Sequence, residues 1–225
     1  MYLPSHFAES RPEVLHTLLR NHPLGLLLTQ NAATDAHGFQ ALQADAIPFM
    51  LDTARGAQSS PHGTLVAHVA RANPLWRAAR TDAESVVVFQ GVQAYVSPAW
   101  YPTKAETGKV VPTWNYVIVE VRGRLRVIDD IAWVNKLVST LTDRHEAQRA
   151  SVAGETVAWK VSDAPDDYVA TMQRAIVGIE IDITSIKGKG KVSQNRSAAD
   201  RAGVAAGLAR HGAADLAALS GGTGT

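Results

Sequence analysis

Between Tyr95 and Tyr116 the chain concentrates two Trp, three Tyr and three Pro among Ser, Thr, Asn and Lys, although aromatic residues make up only 6% of the whole. The segment reads Tyr-Val-Ser-Pro-Ala-Trp-Tyr-Pro-Thr-Lys and, further on, Val-Val-Pro-Thr-Trp-Asn-Tyr. Flat rings beside such polar groups suit a flat heteroaromatic ligand with polar edges and an anionic tail. The rings stack on or wall the ligand, and the polar groups fix its orientation. The alternative use of the same residues is an aromatic-rich hairpin that plugs one end of a barrel.

Two further segments carry chemistry. Thr-Leu-Val-Ala-His-Val-Ala-Arg-Ala-Asn runs from Thr64 to Asn73 and is followed by Pro74, a strand leading into a helix start. Arg71 and Asn73 stand where free backbone N–H groups point outward, a natural seat for a phosphate. The plainer reading makes Asn73 a helix cap and pairs Arg71 with a surface carboxylate. Ile-Lys-Gly-Lys-Gly-Lys-Val-Ser-Gln-Asn-Arg, from Ile186 to Arg196, is basic and rich in glycine. Its spacing matches neither nucleotide-loop pattern. It reads either as a solvated turn or as a segment that sets Lys191, Ser193, Gln194 and Arg196 against an anionic or carbonyl-rich ligand.

Other chemistries fall away. The chain has no cysteine, which removes disulfides, thiolate metal sites and cysteine nucleophiles. His62 and His68 share a face if the strand extends back that far, but no third metal ligand stands at a suggestive spacing. There is no Gly-x-Ser-x-Gly elbow. Asp129 and Asp130 read as helix caps rather than a catalytic pair. With 22 basic and 21 acidic residues the formal charge is +1, so no global field gathers nucleic acid or an acidic membrane. No helix-turn-helix is visible.

The elements that must position these residues are mostly short strands. Ser10-Arg11-Pro12-Glu13 reads as a capping box opening a helix with Val14, Leu15, Leu18 and Leu19 on one stripe. Leu24–Thr29 and Leu42–Leu51 read as strands around a turn at Asn31–Gly38, with Pro48 implying an edge or an irregularity. A Gly/Ser/Pro loop covers Ala54–Gly63. Strands follow at Thr64–Val69, Ser85–Phe89, Gln93–Val96, Tyr116–Val127 and Val177–Ile183. Helices are expected after Pro74, after Asp129 or Asp130, around Tyr168–Ile176, and from Ser197 through Val204 and Leu208. The Ser220-Gly-Gly-Thr-Gly-Thr end reads as disordered. Strands succeed one another without crossover helices, which predicts a mainly β, α+β chain with an antiparallel barrel and peripheral helices. At 225 residues and 46% hydrophobic content it can bury a substantial core. The N-terminus lacks a signal-peptide pattern and no apolar run spans a bilayer, so a cytoplasmic protein is expected.

Five blocks together resemble one family: Met-Tyr-Leu-Pro-Ser-His-Phe at the start, Ala-His-Val-Ala-Arg-Ala-Asn-Pro-Leu-Trp at 67–76, Ala-Tyr-Val-Ser-Pro-Ala-Trp-Tyr at 94–101, Val-Pro-Thr-Trp-Asn-Tyr at 111–116, and Lys-Val-Ser-Gln-Asn-Arg at 191–196. They are similar to the PaiB-type proteins, FMN-binding negative transcriptional regulators. The resemblance spans nearly the whole chain in order. It implies a flavin-binding split β-barrel of the pyridoxamine phosphate oxidase type over 1–215, a flexible tail over 216–225, and a homodimer with FMN at its interface. It places His68, Val69, Ala70, Arg71 and Asn73 near the flavin or its phosphate. It has Trp114, Asn115 and Tyr116 lining the site, with the partner subunit as their possible source, and Lys191, Ser193, Gln194 and Arg196 closing over it. Where family members carry Thr-His ahead of Leu-Pro-Phe, this chain has Asp45-Ala46 ahead of Ile47-Pro48-Phe49. The resemblance leaves three activities open: repression, with any DNA contact built by a dimer from Lys187, Lys189 and Lys191; a flavin-dependent oxidoreductase using NAD(P)H; and haem binding through His68.

Overall fold

The computed structural model describes residues 1–34, 36–54 and 60–222. In chain order the elements are β1 (Ala8–Glu9), α1 (Pro12–Asn21), β2 (Leu24–Thr34), β3 (Gln40–Pro48), β4 (Met50–Asp52), β5 (Thr64–Ala70), α2 (Leu75–Ala78), β6 (Glu84–Val96), α3 (Thr103–Thr107), β7 (Thr113–Ile128), α4 (Ile131–Ala153), α5 (Asp166–Arg174), β8 (Ile176–Lys191), α6 (Ala198–Arg210) and α7 (Ala214–Gly221). Short 3-10 turns stand at Ser5–Phe7, Pro98–Trp100 and Val161–Asp163. The strands hydrogen-bond in the order β3-β2-β6-β7-β8-β5-β4, and β1 pairs with β8. Pairs β1–β8, β2–β3, β4–β5 and β5–β8 are antiparallel. Among the described residues no helix is long and apolar enough to cross a membrane.

The chain divides into two compact units. One comprises Met1–His22, Val88–Glu120 and Ile186–Thr225; the other comprises Pro23–Val87 and Val121–Ser185. They are called the first and second unit below.

In the first unit, Val96, Tyr101, Val204, Leu208, Leu216 and Ala217 form a buried cluster, with Trp100 packed against it. Helix α1 buries Leu15 and Leu19. Its start departs from the expected capping box. Arg11 is the N-cap residue and its side chain caps nothing; instead the Glu9 carboxylate accepts the Arg11 backbone N–H at 2.9 Å and its guanidinium at 3.0 and 2.7 Å. Ser197 does cap α6, its Oγ accepting the Asp200 N–H at 3.2 Å. The stretch expected as a tail from residue 216 is instead the end of α7, because Leu216 and Ala217 supply core contacts and Ser220 is buried. The disorder expected for Thr223–Thr225 falls outside the described residues.

The Lys-Gly alternation is likewise not a solvated turn. It is the last part of strand β8. Strand periodicity explains the glycine: a Cβ on Gly188 would lie 2.4 Å from Leu15 Cδ2, so the strand meets α1 there with no room for a side chain.

In the second unit, Val66 of β5, Leu137 and Leu141 of α4, Met50 and Trp133 pack together. Asp130 caps α4, accepting the N–H groups of Ala132 and Trp133 at 2.8 and 3.1 Å. Strand β3 stands last in the strand order and ends at Pro48, as an edge position for proline requires. Strand β2 outruns its expected end and continues to Thr34, with a register shift between Gln30 and Thr34. Asp35, in the expected turn, and residues 55–59, in the expected loop, lie outside the described residues.

Candidate functional site

Strand β7 alternates. From Thr113 to Val121 the odd-numbered positions from Asn115 onward are buried and the even-numbered ones are more open. The Trp-Asn-Tyr block is therefore split between two faces. Asn115 is fully buried, whereas Trp114 is 53% exposed. Tyr95 stands edge-on to Trp114, with ring centroids 6.3 Å apart.

The β8 lysines meet this aromatic face. Lys189 is only 9% exposed. Its Nζ donates to the Tyr2 carbonyl at 3.1 Å and lies 5.6 and 5.4 Å from the centroids of the Tyr2 and Tyr116 rings. Lys191 Nζ donates to the Trp114 carbonyl at 2.9 Å and to the Thr113 hydroxyl. Arg196 lies over the Tyr101 ring at 5.2 Å. None of these three cations has a carboxylate partner among the described residues; their contacts are carbonyls, a hydroxyl and rings. Burial holds the Lys191 ammonium below the usual lysine range, and Lys189 and Arg196 push the same way while Tyr116 opposes them. Burial likewise raises the Tyr101 hydroxyl above the ordinary tyrosine range, against the pull of Arg196.

On the other side of β7, Asn115 Nδ2 donates to Ser193 Oγ at 2.9 Å and to Ser220 Oγ at 3.2 Å. Ser193 adopts a left-handed backbone, φ +67°. Gln194 closes the same turn internally: its Oε1 accepts the Val192 N–H at 2.8 Å and its Nε2 donates to the Gly190 carbonyl at 2.5 Å. Asn115, Ser193 and Gln194 thus shape the turn that carries Arg196, while Trp114, Tyr116 and Lys191 present chemistry. A cleft of about 730 Å³ also opens in this unit, lined by Phe7, Val14, Leu18, Val117 and Leu219 among others.

The block from His68 to Asn73 lies in the second unit. Val69 is buried and Ala70 is exposed. Arg71 is committed to its own fold. It forms a two-pronged pair with Asp129 at 2.9 and 2.6 Å and donates to the Arg174 and Ile176 carbonyls at 2.9 and 3.3 Å. Asn73 Oδ1 accepts the Leu75 N–H at 2.9 Å, and its Nδ2 donates to Asp45 at 2.9 Å. Both side chains thus take the plainer of the two roles the sequence allows. His68 Nδ1 is buried without a hydrogen-bond partner, and burial pushes the imidazole below the ordinary histidine range. His62 lies in the turn before β5, and no group of three metal-ligating side chains occurs among the described residues.

Sequence reasoning named Trp114, Tyr116, Lys191 and Arg196 but set Lys189 aside as a lysine for DNA, and it gave Tyr2 no role. The available signal was parity: Lys187, Lys189 and Lys191 recur at period two, and so do Trp114 and Tyr116.

FMN has a flat ring, a polar rim and a phosphate dianion. The exposed Trp114 and Tyr95 rings, with Lys191 bound to the Trp114 carbonyl and without a carboxylate partner among the described residues, are groups such a molecule can use, so the first unit fits it. Several known proteins resemble this chain. A family model described as "Putative FMN-binding domain" matches residues 1–185. A protein of Emericella nidulans is 34% identical over 232 residues, covering 92% of this chain and 90% of its own length. The Bacillus subtilis "Protease synthase and sporulation protein PAI 2" is 26% identical over 201 residues, covering 89% and 85%. Among solved structures, the flavocytochrome Anf3 from Azotobacter vinelandii superposes with a TM-score of 0.52 at 12% identity, over 84% of this chain and 72% of that one. The fold is the antiparallel, sheet-rich α+β fold of the flavin-binding split barrels.

Proposed function

This chain belongs to the FMN-binding domain family matched over residues 1–185, and on that premise we propose that its flavin lies on the aromatic, lysine-bearing face of the first unit. One observation carries the placement. Lys189 and Arg196 lie over the Tyr116 and Tyr101 rings, Lys191 is bound to the Trp114 carbonyl, and none of the three has a carboxylate partner among the described residues. Lys191 and Arg196 would hold the phosphate, and the exposed rings of Trp114 and Tyr95 would wall the isoalloxazine. Lys189 is already fixed by the Tyr2 carbonyl and adds its charge from beneath. When bound, FMN supplies hydride and electron transfer, with little demand on neighbouring side chains. The protein's part is to orient the ring, exclude water and set the local charge.

The same reading makes the protein a homodimer with flavin at the interface. Its support is the exposure of Trp114 and Tyr95, large rings that a second copy would cover. Ligand at a shared site strengthens the dimer by mass action. A repressor role belongs to this reading only through such flavin-dependent assembly. Lys189 is buried and bonded to the Tyr2 carbonyl, which leaves little of it open to direct DNA contact. Sedimentation of the purified protein with and without FMN tests the proposal. The expected result is a dimer whose dissociation constant falls at least tenfold when FMN is added. A monomer under both conditions overturns the interface, and a gel shift at physiological salt that depends on DNA sequence but not on flavin overturns the indirect role.

A further inference from the structure

Helix α1 meets the end of strand β8 tightly at one glycine, and the next glycine stands open. A Cβ on Gly188 would lie 2.4 Å from Leu15 Cδ2, whereas a Cβ on Gly190 would meet nothing within 4 Å. The two glycines are two residues apart on one strand, so both face the side on which α1 packs. Empty space therefore stands over Gly190 on that side. Gly190 lines the cleft of about 730 Å³, and every residue of that lining belongs to the first unit.

The walls of the cleft are mostly apolar. Val14 and Leu18 stand one turn apart on α1, next to the buried Leu15 and Leu19. Phe7, Val117, Val192 and Leu219 close around them from four other parts of the chain. Volume and lining both fall in the range of sites that take small organic molecules.

The charges of the lining are already matched or turned away. Glu9 and Arg11 pair with one another at 2.7 Å. Lys189 lies between the two glycines, so its side chain takes the opposite face of the strand. There its ammonium donates to the Tyr2 carbonyl at 3.1 Å and lies 5.4 Å from the centroid of the Tyr116 ring. The remaining ionisable group is His6, whose ring centroid is 4.1 Å from that of Phe7. An ionic ligand would give up its hydration here and gain no counter-charge.

We propose that this cleft binds an uncharged, largely apolar small molecule of one or two rings, and that Gly190 keeps the space for it. Binding forms and breaks no covalent bond. Val117 and Gly190 alternate with Tyr116 and Lys189 along β7 and β8, so the cleft lies on the opposite face of these strands from the proposed flavin face. Its test is therefore independent of flavin.

The test is calorimetric titration of the full chain with 2-naphthylmethanol, 2-naphthoate and 2-naphthylmethylammonium, at about pH 8, where histidine is ordinarily neutral. The alcohol should bind saturably and at least tenfold more tightly than either ion. Gly190→Leu should weaken binding of the alcohol at least tenfold. It should also melt no lower than the parent, because the new side chain enters empty apolar space and a strand glycine is removed. Leu219→Lys changes a half-exposed position of α7, so it keeps the proposal testable if the first variant fails to fold. It should weaken binding of the alcohol at least tenfold and strengthen binding of 2-naphthoate. No saturable binding of the alcohol, equal binding of all three compounds, or undiminished binding by both variants overturns the proposal. Competitive displacement of the alcohol by FMN would make the cleft part of the flavin's own site and overturns it as well.

Discussion

Gly178 should be among the least replaceable residues of the second unit. It lies opposite His68 in the β5–β8 register. A Cβ built on it would fall 2.2 Å from Trp133 Cζ3, 2.6 Å from Trp133 Cε3 and 3.0 Å from the Ile128 carbonyl oxygen. The indole cannot simply swing clear, because it packs against the cluster of Val66, Leu137 and Leu141 that seats α4. The backbone carbonyl would remain close even if it did. Forcing a methyl group into such a contact typically costs about 1–3 kcal/mol. For a chain of this size, each kcal/mol lowers Tm by roughly 2–4 °C. Gly178→Ala should therefore melt about 4–8 °C below the parent if the cost is near 2 kcal/mol. The cause can be isolated with a double-mutant cycle. In a Trp133→Leu background the same substitution should cost at least ~1 kcal/mol less, because the ring it strikes has gone. Urea unfolding of the four proteins supplies the numbers. A Gly178→Ala protein within about 0.5 kcal/mol of the parent, or a cost unchanged by Trp133→Leu, would refute the account of how α4 sits on the sheet.

Three further outcomes follow from the described contacts. Burial holds Lys191 below the ordinary lysine value, so its protonated form is disfavoured in the folded state. Stability of the ligand-free protein should rise as pH climbs through the depressed value toward the ordinary one, Lys191→Met should lose that rise in a Tm–pH profile, and FMN binding should take up protons in the same window. Burial also lowers His68. The unfolded chain then binds protons at the ordinary value while the folded one does not, so stability present at neutral pH should fall as pH drops below that value, and His68→Gln should flatten the loss. Asn115→Ala removes the donor shared by Ser193 and Ser220, and urea unfolding should show a loss of about 1–3 kcal/mol, whereas Asn195→Ala at the exposed neighbouring position should change little.

Much of the architecture was legible because strand periodicity is a local signal. The paired strands around residues 85–96 and 116–127, the Asp130 cap and the Ser197 cap were all readable from residue types and spacing. Of the two readings of the Lys-Gly stretch, the solvated turn fails because composition suggests flexibility where only the proximity of Leu15 to Gly188 explains why glycine is needed within a strand. The C-terminal helix was missed because its apolar face is short and its Gly-rich end resembles a tail; contacts of Leu216 and Ala217 with distant residues decide it. At the candidate site, residue types singled out segments but could not give the direction of each side chain. Parity separates Asn115 from Trp114 and Tyr116. The partners of Arg71 and Asn73, which are Asp129 and Asp45, lie far off in sequence and could not be chosen from the surface alternatives without the fold.

On our proposal, Lys191 and Arg196, without carboxylate partners among the described residues, hold FMN beside the exposed rings of the first unit. Titrating the purified protein with FMN, followed by flavin absorbance and fluorescence, tests it most directly when run beside Lys191→Met/Arg196→Met and Arg71→Met. Losing charge-assisted contacts worth roughly 1.5–3 kcal/mol each should weaken FMN binding at least tenfold in the double variant. Arg71→Met should keep nearly parental affinity, because its guanidinium already belongs to Asp129. Parental affinity in the double variant together with lost binding in Arg71→Met would place the flavin elsewhere and contradict the account.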